Sequence, residues 1–116
     1  MNDMPLPHPL PDALVELIAR RFRVIGEPMR IRILDHLRDE DASVHELTIA
    51  LGASQQNVTK HLQVLLEAGI VGRRKEGHSA YYSISDPSVF ALCEEVCGGV
   101  RRQLAELSAL VEGAGR

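Results

Sequence analysis

Two short helical stretches with three residues between them constrain this chain more than any other feature. Ser43-Val44-His45-Glu46 has the S-x-x-E spacing of a capping box. A helix should start there and end at Gly52. Ser54 is a second N-cap, opening a helix with Val58, Leu62, Leu65 and Leu66 turned inward and Ala68-Gly69 closing it. The gap is Gly52-Ala53-Ser54. A short helix, a Gly-containing turn and a second helix form a helix-turn-helix.

The period then changes. Residues 70–75 and 80–84 read as strands, and Glu76-Gly77-His78-Ser79 between them as a hairpin turn. A hairpin directly after such a helix pair makes a winged helix.

The rest of the chain adds helices. Pro5, Pro7, Pro9 and Pro11 make residues 1–11 an extended or disordered arm. Asp12 is expected to cap a first helix, with Leu14, Leu17, Ile18 and Phe22 on one face. Gly26-Glu27-Pro28 breaks it. Pro28 suits the first turn of a second helix, which runs to about Arg38 and carries Ile31, Ile33, Leu34 and Leu37. Asp39-Glu40-Asp41 is an acidic turn, and Asp86-Pro87 opens a last helix to about Val111, before Gly113. The expected fold is mainly α with a small β-hairpin, in the order α-α-α-α-β-β-α. Its parts are an arm (1–11), one domain (12–112) and a tail (113–116).

Composition fits one modest core. The chain has 116 residues, 45% of them hydrophobic; Trp is absent and aromatics are 3%, so the core is aliphatic. No apolar run approaches the roughly 20 residues of a membrane span. Met1 to Leu10 lacks the basic and apolar regions of a signal peptide. Cys93 and Cys97 are too few for a disulfide framework and suggest reduced thiols in a cytoplasm.

The formal charge of -3 argues at first against a nucleic-acid partner. Its distribution reverses the argument. Residues 1–53 carry -3 and residues 79–116 carry -2, whereas residues 54–78 carry +2. That stretch is the second helix of the pair with its hairpin. The acidic remainder should weaken non-specific DNA binding.

The same stretch holds the candidate DNA contacts. Behind the Ser54 cap, the outward positions are Gln55, Gln56, Thr59, Lys60 and Gln63. Amides and hydroxyls can pair with base edges in a major groove, Gln with adenine being a good match. Lys60 would neutralise a phosphate, and the helix N-terminus favours one. Arg73, Arg74, Lys75 and His78 at the hairpin suit backbone or minor-groove contact. His61 either reaches a phosphate or packs against the wing.

These residues carry a family resemblance. Val24-Ile25-Gly26-Glu27-Pro28-Met29-Arg30-Ile31-Arg32-Ile33-Leu34 resembles the second-helix signature of the ArsR/SmtB bacterial repressors. Residues Ser54 to Leu65 resemble that family's recognition helix, and Leu66-Glu67-Ala68-Gly69-Ile70-Val71 with Tyr81-Tyr82 continues the match. The resemblance spans roughly residues 14–110. It implies a homodimeric repressor on a palindromic operator, released by an inducer. One metal site of the family needs cysteine in the third helix, but residues 44–51 have none, only the lone His45. Another needs an Asp-x-His; Asp86 is present, but Ser88 replaces the His and no later His follows. Both sites are broken.

Cys93 and Cys97 remain, at i, i+4 on one helix face. They could bind a soft metal or metalloid ion with further ligands such as His8, or act as a redox or persulfide switch. They could equally be packing residues. Cys93, Cys97, Val100, Leu104, Leu107 and Val111 follow coiled-coil spacing. That seam is the expected dimer interface, paired with Leu14, Leu17 and Ile18 of the first helix. Two rival functions are weaker. Arg73-Arg74-Lys75 speaks against a module for protein interaction alone, and Glu94 and Glu95 beside the thiols speak against a thiol enzyme.

Overall fold

The computed structural model describes residues 6–114. They fall into two units that divide after Ser85. The first holds helices α1 (Asp12–Ile25) and α2 (Pro28–Leu37), strand β1 (Ala42–Ser43), helices α3 (Val44–Leu51) and α4 (Gln55–Glu67), and strands β2 (Val71–Glu76) and β3 (Ser79–Ile84). The second is helix α5 (Ser88–Ala114) with its lead-in Asp86-Pro87.

The helix starts follow local chemistry. At α3 the Ser43 Oγ accepts from the Glu46 N–H at 3.1 Å, and the Glu46 carboxylate accepts from the Ser43 N–H at 2.9 Å. Both halves of the capping box form. Gly52 then ends α3 with φ 61, and the Ala53 N–H reaches back to the Thr48 carbonyl at 3.2 Å. A side chain at that φ would strain the backbone by about 1–2 kcal/mol. At α2 the Glu27 carboxylate caps the Arg30 N–H at 3.0 Å, and Pro28 occupies the first helical position.

The start of α1 departs from expectation. Its N-cap is Pro11, whose carbonyl accepts from Leu14 and Val15; Asp12 is the first helical residue and makes no side-chain cap. The Asp12 carboxylate there faces the positive end of the helix dipole. Residues 6–11 form no helix or strand, and the earlier part of the expected arm lies outside the described residues. At the other end α5 continues through Gly113 to Ala114, beyond the expected stop near Val111.

The sheet has one more strand than expected. Its order is β1-β3-β2, all antiparallel, with Ala42 opposite Tyr82 and Ser43 opposite Tyr81. A two-residue strand is too short to show a period in sequence. The hairpin turn is Gly77-His78, with Gly77 at φ 65, which suits the first central position of a tight two-residue turn.

The first unit closes on an aliphatic core of Ile33, Leu34, Leu37, Leu47, Val58, Leu62, Leu65, Ile70 and Val71, with Tyr82 its one buried aromatic. Leu66 is only half-buried, and Ile31 is exposed. Because α2, α3 and β2 all pack on α4, one face of α4 is fixed inward and the other is left to solvent.

Candidate nucleic-acid interface

The outward face of α4 is built by its cap and its period. The Ser54 Oγ accepts from the Asn57 N–H at 3.1 Å, which fixes where the helix begins. Val58, Leu62 and Leu65 are buried. Gln55, Gln56, Thr59, Lys60 and Gln63 stand on the opposite side and are all exposed. The Gln63 amide donates to the Glu67 carboxylate one turn on, at 3.1 Å, which holds its donor end away from the first turns. Gln55, Gln56 and Thr59 therefore form the polar group nearest the helix N-terminus, where a major-groove helix meets bases.

His61 does not belong to that face. It is buried, 7% exposed, and its position three residues after Val58 and four before Leu65 places it on the inward stripe. The expectation of a phosphate contact is overturned, and its partners are not on the wing. Nδ1 lies 3.1 Å from Arg30 Nη1 and 3.6 Å from Glu27 Oε2. An arginine can only donate, so Nδ1 must accept and the ring is neutral there. Burial pushes the His61 pKa below the ordinary histidine value; Glu27 opposes that shift, while Arg30 and Lys60 add to it. The Glu27 carboxyl is also held below its usual range, chiefly by the Arg30 N–H it accepts.

Arg30, absent from the sequence-derived site, is the organiser here. Its Nε donates to the Val24 carbonyl at 2.6 Å and its Nη2 to the Arg23 carbonyl at 3.4 Å. Those carbonyls belong to the last turn of α1, where helical partners run out. One side chain thus joins α1, α2 and α4.

The wing separates three basic residues that sequence placed together. Directly opposed residues share a sheet face, so Arg73 and Lys75 lie on the face of Val71, Tyr82 and Ala80, and Arg74 lies on the other with Tyr81. Arg73, Lys75 and His78 are exposed. The Arg74 guanidinium stacks 5.3 Å from the Tyr81 ring centre and pairs with Asp41 and with Glu76, the latter at 3.1 Å. These carboxylates raise its pKa further. Arg74 therefore crosses the sheet over β3 and ties the wing to the residue just before β1. Its charge is already neutralised within the chain.

On α5, Cys97 is exposed and Cys93 half-buried. His8 is exposed ahead of α1. Among the described residues, no three His, Cys, Asp or Glu side chains gather as a metal ion would require. No described helix is long and apolar enough to cross a membrane.

Comparison with known proteins agrees with this geometry. Residues 25–74 match a helix-turn-helix domain family. An HTH-type transcriptional regulator of Mycobacterium tuberculosis, Rv0081, is 34% identical over 102 residues, covering 87% of this chain and 90% of the relative. Its crystal structure superposes with a TM-score of 0.76, over 83% of this chain and 97% of that one. The HTH-type transcriptional repressor SmtB of the same organism is 34% identical over 80 residues, 69% of this chain and 59% of the repressor. A homodimeric winged helix-turn-helix DNA-binding domain from Mycobacterium bovis, described as a possible ArsR-family regulator, is 27% identical with a TM-score of 0.73, over 86% of this chain and 95% of that domain. All of these relatives are described as regulators of transcription, the first as an uncharacterized one. With its capped recognition helix, three-stranded wing and overall likeness to these proteins, the chain belongs to the ArsR/SmtB family of winged helix-turn-helix transcriptional regulators.

Proposed function

We propose that the protein is a homodimeric repressor whose two α4 helices enter successive major grooves of a palindromic operator. The observation that carries this reading is the exposed polar face of α4 (Gln55, Gln56, Thr59, Lys60), together with the exposed cations Arg73 and Lys75 of the wing. The side chains of α4 supply base-edge contacts, and Arg73, Lys75 and His78 supply backbone contacts. Ser54 and Gln63 contribute at the edge of this surface, since each already serves a bond within the helix.

Dimerisation rests on apolar surface. On α5, Val100, Leu104, Leu107 and Val111 are 48%, 59%, 53% and 70% exposed, and on α1 Leu17 is 62% exposed beside the half-buried Leu14 and Ile18. A regular apolar stripe of this kind marks an association surface. Two-fold pairing would set the recognition helices about 34 Å apart, one turn of DNA.

Release by an inducer belongs to the same reading. Cys93 and Cys97 sit at the head of the stripe, so a soft metal or metalloid bound there, or oxidation of the thiols, would alter the spacing of the two reading heads. Two thiolates are an incomplete set for zinc, and further ligands, such as the partner subunit's His8, would complete it. Hydroxyl-radical footprinting on a bound duplex tests the operator model: two protected patches one helical turn apart are expected, and a single patch contradicts it. Release of that duplex by Zn(II), As(III) or polysulfide from wild type and from Cys93→Ser/Cys97→Ser tests the thiols; equal release from both rejects them as sensors.

A further inference from the structure

We propose that Arg30 and His61 form a proton-sensitive link that positions the recognition helix, so that acidification weakens DNA binding. The inference rests on the DNA-binding role of α4 and adds a control to it. His61 is the only buried polar side chain in the described core, and it stands on the recognition helix itself. It holds Arg30 through a single acceptor, Nδ1 at 3.1 Å, while the same guanidinium grips the Val24 and Arg23 carbonyls of α1.

Protonation removes that acceptor. Nδ1 then carries hydrogen and faces a permanent cation at hydrogen-bond distance. The available alternative is Glu27 Oε2, 3.6 Å away. Moving toward it competes with the Arg30 N–H that Glu27 caps. The ring cannot change partner without disturbing the α2 start or shifting α4. Lys60 and Leu62 flank His61 in the chain, so any such shift carries the reading face with it.

The surrounding charges favour this response. Glu27 and Arg30 face the ring from the α2 side, and Lys60 acts on it from its own helix. On α1, Arg21 donates to the Ala68 carbonyl at 2.8 Å, and Asp12, Glu16, Arg20 and Arg23 have exposed side chains. On α3, His45 and Glu46 are exposed, as are Arg73, Arg74, Lys75 and Glu76 on β2. Burial already disfavours the charged ring. A proton therefore enters only with rearrangement.

Two arms test the proposal. In the first, the DNA-free chain is titrated by NMR from about pH 7.5 to about pH 5, the range in which histidines change charge. The His61 ring should titrate below the ordinary histidine value, and the amides of Gln56, Thr59 and Lys60 should move with the His61 midpoint. Amides that ignore that midpoint overturn the link. In the second arm, wild type selects a duplex of about 30 base pairs from a random pool at about pH 7.5. Its affinity is then followed downward in pH beside His61→Asn, whose amide oxygen can accept from Arg30 but does not titrate. Each profile is scaled to its own value at the starting pH. Wild-type affinity should fall as pH drops through the folded His61 midpoint, by up to about tenfold per pH unit for each of the two His61 rings of the dimer, with a flat or rising profile for the variant. Parallel profiles overturn the proposal. Coupled amides with no duplex retained at any pH would leave the link standing and refute the DNA-binding reading instead.

Discussion

Replacing Leu104 and Leu107 together by Asn removes two consecutive rungs of the α5 stripe. The free chain leaves 59% and 53% of these residues exposed, so slightly more than half of each remains for a partner to cover. Full burial of a leucine is worth about 2 kcal/mol, which makes the share at stake about 1 kcal/mol each. A two-fold dimer contains each residue twice, so the loss is about 4 kcal/mol, or about a thousandfold in the dimer dissociation constant. Because both side chains lie on the exposed outer stretch of α5, the fold of the first unit should survive, and circular dichroism should show unchanged helix content. Sedimentation equilibrium across a concentration series measures the constant directly. A double variant that dimerises as wild type does would refute the assignment of this stripe to the interface.

Other expectations follow from the same geometry. Removing Arg73 and Lys75 together should lower the slope of log affinity against log salt by about 4, because two phosphate contacts are lost in each half of the dimer. Arg74→Ala should change that slope little and should instead loosen the wing, since its charge is matched by Asp41 and Glu76; a thermal melt alongside the salt titration separates the two effects. Ser54→Ala should cost about 1 kcal/mol of stability through the lost N-cap, read by denaturant unfolding. His61 gives stability a pH dependence: with its folded pKa lowered, the unfolded chain takes the proton first, so the contribution is complete above about 6.5 and is lost as pH falls through the folded value. Stability of His61→Asn followed over the same range should lack that decline, and an equal decline would place its origin elsewhere.

Much of this architecture was legible in local sequence, because its signals are short-range. The capping box at Ser43–Glu46, the Ser54 cap and the Gly77-His78 turn each depend on neighbours within a few residues. What was not legible depends on residues far apart in the chain. Arg74 looks like a free cation until Asp41, 33 residues away, is folded beside it. His61 looks like a surface contact until Arg30, 31 residues away, meets its ring. In that case the sequence held a usable signal, since Val58, His61 and Leu65 share the spacing of a buried stripe. Strand β1 left no signal because two residues cannot alternate visibly. Residue type alone points to Asp12 as the cap, whereas the proline before it takes the capping position with its backbone carbonyl.

The central claim is that the outer face of α4 reads bases, and Gln56→Ala tests it most directly. Gel-shift affinities would be measured for wild type and variant on a duplex selected by the wild type and on a random duplex of equal length. A bidentate amide contact is worth about 1–3 kcal/mol of discrimination, so specific affinity should fall about tenfold or more in each half-site while non-specific affinity stays near its original value. Equal losses on the two duplexes, or no loss on either, would contradict the account.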